Sequence, residues 1–374
     1  MFKIEMLPAG HGDCLYIEYG EEKSPHRVLI DGGPYYAFEP LEKRIKAMIK
    51  ANLVFDLLVI THVDSDHIDG IVKLIGANPS NLKSPITDVW FNSWNQFAKE
   101  PEDKLGPEHG EMLGAVIEKN KLSWNKAFGK EAVANPNHAT LESKDLSGGL
   151  KITLLSPTKA ELIALKPYWV QEVRGAGLEP GSRDQALEKL RKNMRLRPAD
   201  IMGVKKKIKP INQIFEGKEK FEPEPSPTNA SSIAFLAEYN DGTQPKSCVF
   251  AGDAHPDVLS ASIEKILAQR GEKRLKVDAF KVSHHGSKHN TSPELLRLLD
   301  CKKFLVSTSG AGKSQHPDRE AIALIIQESK PDTELFFNYL SDQNKCWDNS
   351  TLRKRYHYKT HYPPGGEEGL TVLL

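Results

Sequence analysis

Short apolar runs alternate with Gly- and Asp-rich turns over the first third of the chain. Residues 2–7 and 13–19 predict two strands around the turn Pro8-Ala9-Gly10-His11-Gly12. Arg27 to Ile30 predicts a third strand, ending at Asp31-Gly32-Gly33, and Leu41 to Leu53 carries apolar residues at helical spacing. Leu57 to Ile60 is a buried-type strand that runs into a polar loop. A helical pattern from Ile68 to Ile75 and a short strand at Val89-Trp90-Phe91 follow. The last third returns to this order. Strands are predicted from Ser231 to Tyr239, Ser247 to Phe250, Ala279 to Val282 and Phe304 to Ser307, with helices from Val258 to Ala268 and Arg319 to Glu328. This alternation predicts a layered α/β domain.

The middle has a different pattern. Residues 92–140 are polar, and Leu150 to Leu155 is a strand closed by Ser156-Pro157. From 158 to 227 the composition shifts. Lys189, Arg191, Lys192, Arg195 and Arg197 are followed by Lys205, Lys206, Lys207 and Lys209, and then by the Pro/acidic linker Glu222-Pro223-Glu224-Pro225-Ser226-Pro227. The expectation is a domain built from residues 1–157 and 228–374, with 158–227 as a partly helical insertion.

The chain has 374 residues, long for one ordinary core. Its 51 basic and 50 acidic residues exclude a surface that is one continuous polyanion clamp, but allow a local basic patch. Cys14, Cys248, Cys301 and Cys346 are scattered, without zinc-finger spacing, and read as free thiols of a reducing compartment. No signal-peptide pattern and no apolar run of membrane-spanning length is visible, so a cytoplasmic protein is expected.

The chemistry concentrates in Thr61 to Gly70, T-H-V-D-S-D-H-I-D-G. His62, Asp64, Asp66 and His67 lie within six positions, between an apolar strand and a helix. Imidazoles and carboxylates are ligands that Zn²⁺, Mn²⁺ and Fe²⁺ accept. The neighbouring carboxylates would repel one another unless a cation neutralised them.

His-x-Asp-x-Asp-His after a buried strand resembles the metal-binding signature of metallo-β-lactamase-fold hydrolases. The Asp at the third position resembles the variant in the hydrolase domain of ComEC-like competence proteins. Gly10-His11-Gly12-Asp13, Leu29-Ile30-Asp31-Gly32-Gly33, Ala251-Gly252-Asp253-Ala254, His284-His285-Gly286-Ser287 and His316-Pro317 fall in the order of that family. The resemblance covers roughly residues 1–91, 148–157 and 228–330. It implies a four-layer αββα metallo-β-lactamase sandwich holding one or two ions, Zn²⁺ or alternatively Mn²⁺. His62 and Asp64 would face the first metal position, Asp66 and His67 the second, and Asp253 would bridge both. His285 would complete the second position, with His284 as the alternative. Asp31 would orient the metal-binding loop. The family's third imidazole for the first metal has no clear counterpart; Asn229 and Ser232 stand where the competence-type proteins have an Asn-x-x-Ser pattern.

The other residues keep two readings. His11 is a pocket contact or a turn residue, and Asp13 fixes its turn. His255 reads as a surface residue or a support behind the ligands. His289 is a substrate contact or a turn residue. His316 is a general acid or a helix cap, and Trp90 and Trp347 are packing residues. The expected catalytic set is Asp64, Asp253 and His316. The expected activity is hydrolysis of a phosphodiester, in nucleic acid or a nucleotide, by a metal-activated water. Salt-sensitive attraction of a polyanion to the basic stretch would assist it. The alternatives are a hydrolase of a small-molecule ester, lactone or amide, and a metal-binding partner protein without turnover.

Overall fold

A computed structural model of the chain describes residues 1–77, 86–97, 108–193, 211–216, 220–240, 242, 244–312 and 314–374. The strands are β1 (Phe2–Met6), β2 (Leu15–Tyr19), β3 (His26–Ile30), β4 (Leu57–Val59), β5 (Val89–Trp90), β6 (Ser143–Leu146), β7 (Leu150–Ser156) and β8 (Ala234–Tyr239). They continue with β9 (Lys246–Phe250), β10 (Leu275–Lys276), β11 (Ala279–Lys281), β12 (Leu299–Asp300), β13 (Lys303–Val306), β14 (Thr333–Phe337), β15 (Tyr358–His361) and β16 (Leu370–Leu373). One sheet has the order β16-β1-β2-β3-β4-β5, and the other β15-β14-β13-β11-β9-β8-β7-β6. β10 and β12 form a small parallel pair.

Side-chain parity explains the layering. Along β4, Leu57 and Val59 enter one core while Leu58 and Ile60 enter another, because successive strand residues face opposite ways. The first core lies between the sheets, where Phe2, Ile4, Ile17 and Val28 meet Ile152, Phe235, Phe250 and Leu305. The outer face of the first sheet packs on the helices Phe38–Lys50, Ser65–Ala77 and Glu108–Lys119. The outer face of the second packs on Pro256–Arg270, Pro293–Arg297 and Arg319–Glu328. The result is a four-layer αββα sandwich.

Each sheet is part antiparallel and part parallel. β3, β4 and β5 are parallel, as are β9, β11, β13, β14 and β15. The carboxyl ends of β3, β4, β9, β11 and β13 therefore deliver Asp31, Thr61–Asp64, Asp253, His284–His285 and Ser307 to one rim. Ligands of open α/β sheets bind at such strand ends.

One strand starts later than the sequence predicts. Ser231 to Ile233 lie outside the strand: β8 begins at Ala234, after the short helix Pro227–Ala230 that Ser226 caps. Residues 159–175 form a helix with a complete capping box at Thr158 and Glu161. Leu165 and Trp169 on that helix, and Leu190 on the helix Arg183–Asn193, join the core beneath the first sheet. The described part of 158–227 is thus packed against the sandwich. Arg195, Arg197 and Lys205 to Lys209 lie outside the described residues.

Candidate metal centre

The loop after β4 and the first turn of the helix Ser65–Ala77 carry His62, Asp64, Asp66 and His67. Glycines make this close approach possible. A Cβ on Gly70 would lie 1.9 Å from the Gly32 carbonyl oxygen, and one on Gly12 would lie 1.8 Å from the Asp66 carbonyl oxygen. The helix start therefore rests directly on the Asp31-Gly32-Gly33 turn and on the turn after β1.

Asp31, wholly buried, organises both histidines. Its carboxylate accepts from Thr61 N–H at 2.7 Å, Thr61 Oγ1–H at 2.7 Å and His67 Nδ1 at 2.8 Å. Thr61 Oγ1 in turn accepts from His62 Nδ1 at 2.9 Å. With each Nδ1 engaged as a donor, each Nε2 is the nitrogen left to face the rim. The sequence expectation that Asp31 orients the loop is what this geometry provides.

The Nε2 atoms converge on one oxygen. Asp253 Oδ2 lies 3.8 Å from His62 Nε2, 3.3 Å from His67 Nε2, 3.7 Å from His284 Nε2 and 3.8 Å from His285 Nε2. Asp66 Oδ2 is 3.2 Å from His285 Nε2 and 3.9 Å from His67 Nε2, while Asp64 Oδ2 is 3.7 Å from His62 Nε2. All six expected ligands thus come together, and His284, the alternative to His285, arrives as well. His284 (φ 45°) and His285 (φ 54°) are consecutive left-handed residues, a conformation that non-glycine residues rarely adopt.

Electrostatics follow from this crowding. Burial alone would lower the pKa of His67, yet Asp253, Asp66 and Asp31 raise it well above its ordinary value. Burial likewise opposes protonation of His284 and His285, but Asp253 with Glu224 pushes His284 up to about 9, and Asp253 with Asp13 pushes His285 up to about 10. Asp253 and Asp66 would be raised by burial, but the surrounding imidazoles hold both well below the carboxylate range. Such a nest of buried carboxylates requires positive charge. His62 Nε2 and Asp253 Oδ1 are buried without a hydrogen-bond partner. Imidazole and carboxylate donors with unpartnered atoms fit a divalent transition-metal ion.

Asp13 belongs to the same neighbourhood. It forms with His67, Asp253 and His285 a buried group whose ligand atoms lie within 4.8 Å of one another. Its carboxylate, however, meets the far edge of the His285 ring, at 3.4 Å from Nδ1, and Lys281 Nζ at 2.5 Å. His285 Nδ1 also lies 2.9 Å from the Ser307 carbonyl oxygen. Asp13 therefore stands behind His285, as a support for the ring.

The remaining candidates fall around the rim. His11 Nδ1 is 2.7 Å from Tyr36 Oη, with Asp66 near enough to act on its charge. His289 turns its Nδ1 to the Glu222 carbonyl at 2.7 Å. His255 directly precedes the helix Pro256–Arg270, its Nε2 buried and without a hydrogen-bond partner. Trp90 and Trp347 are core residues, as expected. His316 is 7% exposed, and its ring packs edge-on against His284 with centroids 5.0 Å apart. Burial and His284 outweigh Asp318 and keep its pKa below the ordinary value.

Glu224, Thr228 and Lys281 carry contacts that the sequence reading did not anticipate. Lys281 occupies a strand position whose neighbours are apolar. Glu224 sits in what reads as a solvated linker, and no local signal marks it.

No family model matches the chain, and no curated protein sequence matches it. Among solved structures it is similar to a subclass B3 metallo-beta-lactamase isolated from a soil metagenome library, at 12% identity and a TM-score of 0.30 over 79% of each chain. It is similar also to the metallo-beta-lactamase MIM-1 from Novosphingobium pentaromativorans, at 12% identity and a TM-score of 0.30 over 85% of this chain and 88% of the other. The layering described above follows from the chain's own strand order and cores.

Proposed function

We propose that this protein is a metal-dependent hydrolase of the metallo-β-lactamase fold, resembling ComEC-like hydrolase domains, that cleaves a phosphodiester in nucleic acid or a nucleotide. The convergence of four imidazole Nε2 atoms on Asp253 Oδ2 carries this reading. Held by His62 and Asp64 on one side, Asp66, His67 and His285 on the other, and Asp253 between them, one or two Zn²⁺ or Mn²⁺ ions would supply Lewis acidity and a nucleophilic water at neutral pH.

The protein's own groups do the rest. Asp31, through Thr61 and directly, fixes the two histidines of the loop. Asp13 and the Ser307 carbonyl fix His285. Asp64, with a side chain 37% exposed, is the ligand most open to substrate and can accept a proton from an incoming water. His316, buried beside His284, stands where it can act as general acid toward a leaving oxygen. Charge supports a polyanionic substrate modestly: Arg191 and Lys192 are exposed on the helix Arg183–Asn193. Residues 158–227 are proposed as an insertion into a domain formed by 1–157 and 228–374. Among the described residues no helix is long and apolar enough to cross a membrane.

Elemental analysis, paired with bis-p-nitrophenyl phosphate hydrolysis in added Zn²⁺ or Mn²⁺, tests the reading. One or two equivalents of metal are expected, with turnover that disappears in Asp253→Ala. Bound metal with turnover of esters or lactones but not of phosphodiesters would move the substrate to a small molecule. Absence of specific metal under all conditions would sink the proposal.

A further inference from the structure

The first metal position has one imidazole in the sequence motif, His62, and no counterpart for the third histidine of the resembling family. We infer that His284 is the missing imidazole, and that Glu224, delivered by the segment just before the short helix at Pro227–Ala230, is the carboxylate that orients it. This rests on the metal-dependent reading above.

Placement is the first argument. Asp66 is an ion-pair partner of His67 and His285, and of neither His62 nor His284. All four Nε2 atoms meet Asp253 Oδ2, those of His62 and His284 at 3.8 Å and 3.7 Å. Asp66 thus engages two of the four rings, and His62 and His284 are the two it leaves for the first position. The paired left-handed backbone of His284 and His285 lets adjacent residues send both rings to the same rim. A strand or helix would separate them.

Ring orientation is the second. Metal-binding histidines characteristically donate their other N–H to an oxygen acceptor, which fixes the tautomer. His62 does so to Thr61 Oγ1, His67 to Asp31 and His285 to Ser307 O. His284 shares the pattern: its Nδ1 lies 3.1 Å from Glu224 Oε2 and 3.0 Å from Asn290 Oδ1. A carboxylate can only accept, so Nδ1 carries a proton and Nε2 is the nitrogen turned to Asp253, the atom a metal would take. The Asn229 amide, 3.3 Å from the same Nδ1, is turned to Glu224, donating to both carboxylate oxygens at 2.9 Å. Asn290 Nδ2 adds a third donor at 2.9 Å. Three amide donor contacts leave Glu224 little freedom.

The same segment reaches the other ligand of this position. Thr228 Oγ1 donates to Asp64 Oδ2 at 3.3 Å. Residues 224–229 therefore hold Asp64 and His284 together, so the geometry of the first position depends on how the chain re-enters the sandwich after residue 220.

The test is a Co²⁺ and Zn²⁺ titration of metal-free protein by calorimetry, with elemental analysis and the visible spectrum of the Co²⁺ form. His284→Asn suits it, because Asn tolerates the left-handed backbone. Two equivalents are expected in the wild type. In His284→Asn the stoichiometry falls to about one, and the Co²⁺ bands of the weaker site disappear. Glu224→Gln keeps the stoichiometry but weakens that site about 10–100-fold and shifts its bands. Unfolding curves of the metal-free forms report whether each variant is folded. Two unchanged sites in folded His284→Asn would overturn the assignment of His284. Unchanged affinity and spectrum in Glu224→Gln would overturn that of Glu224. Wild type that binds no metal fails the underlying functional reading instead, and takes this inference with it.

Discussion

Lys281 offers a test that needs no substrate. It lies on β11 two residues beyond Ala279, so its side chain enters the core between the sheets, where it is wholly buried. Its ammonium lies 2.5 Å from Asp13 Oδ2 and 3.0 Å from the Val282 carbonyl oxygen. Lys281→Met keeps the length of the side chain and removes the charge, leaving the Asp13 carboxylate uncompensated in a space closed to water. Breaking one side of a buried pair destabilises by about 3–5 kcal/mol. His285, 3.4 Å from Asp13 Oδ1, remains as a second partner, which places the expected loss at the lower end, about 3 kcal/mol. Removing both charges, as in Asp13→Asn with Lys281→Met, is expected to recover more than half of that, giving a coupling of about 2 kcal/mol. The pH dependence has a definite sign. Burial pushes the Asp13 carboxyl up, and Lys281 followed by His285 overcomes it, holding the pKa below the ordinary 3.8. In the wild type this stabilisation is present above the unfolded pKa and is lost only as pH falls through the lower folded value. Without Lys281, burial dominates, the carboxyl takes up a proton more readily, and the deficit narrows as pH falls from 7.5 toward 4. Urea unfolding of the metal-free protein, followed by fluorescence and circular dichroism, measures this. A Lys281→Met loss under about 1 kcal/mol with unchanged urea dependence, or a strictly additive double variant, would refute the reasoning.

Asp31→Asn replaces an acceptor by an amide N–H₂ opposite His67 Nδ1 or Thr61, which favours the tautomer that protonates the metal-facing Nε2. Metal affinity is expected to fall about 10–100-fold by calorimetry, and an unchanged affinity would remove Asp31 from the orienting role. Glu111 is 5% exposed and accepts from Trp169 Nε1 at 3.3 Å and Gly181 N–H at 3.0 Å. Burial, against the Gly181 hydrogen bond, pushes its carboxyl up to about 7 from the ordinary 4.5. A raised folded pKa means that its contribution is fully present below the unfolded value and is lost as pH rises through the folded one, by about 3 kcal/mol in total. Glu111→Gln cannot titrate, so its stability relative to wild type should improve by that order between pH 4.5 and pH 8 in urea unfolding. A pH-independent difference would show that Glu111 is not a buried titrating group.

The metal motif and its fold were legible because both are local. His62, Asp64, Asp66 and His67 follow an apolar strand directly, and period-two and helical patterns declare the central strands and the long helices. The C-terminal edge strands β15 and β16 were harder to see, since edge strands bury less and alternate less cleanly. β16 gains its place by pairing with β1, over three hundred residues away. Which of His284 and His285 faces the site was undecidable in the sequence, because adjacent residues point apart in any regular element. Two successive left-handed residues, held by the surrounding turn, send both inward. Glu224 reads as linker chemistry among prolines, and only the fold brings it beside Asn229, His284 and Asn290. Lys281 looks misplaced in an apolar strand until the turn between β1 and β2 presents Asp13. Sequence period fixes which way a side chain faces and local clustering shows what chemistry is available. Which distant charges meet is settled by packing, because the cost of burying a carboxylate is decided by the cation that the rest of the chain places beside it.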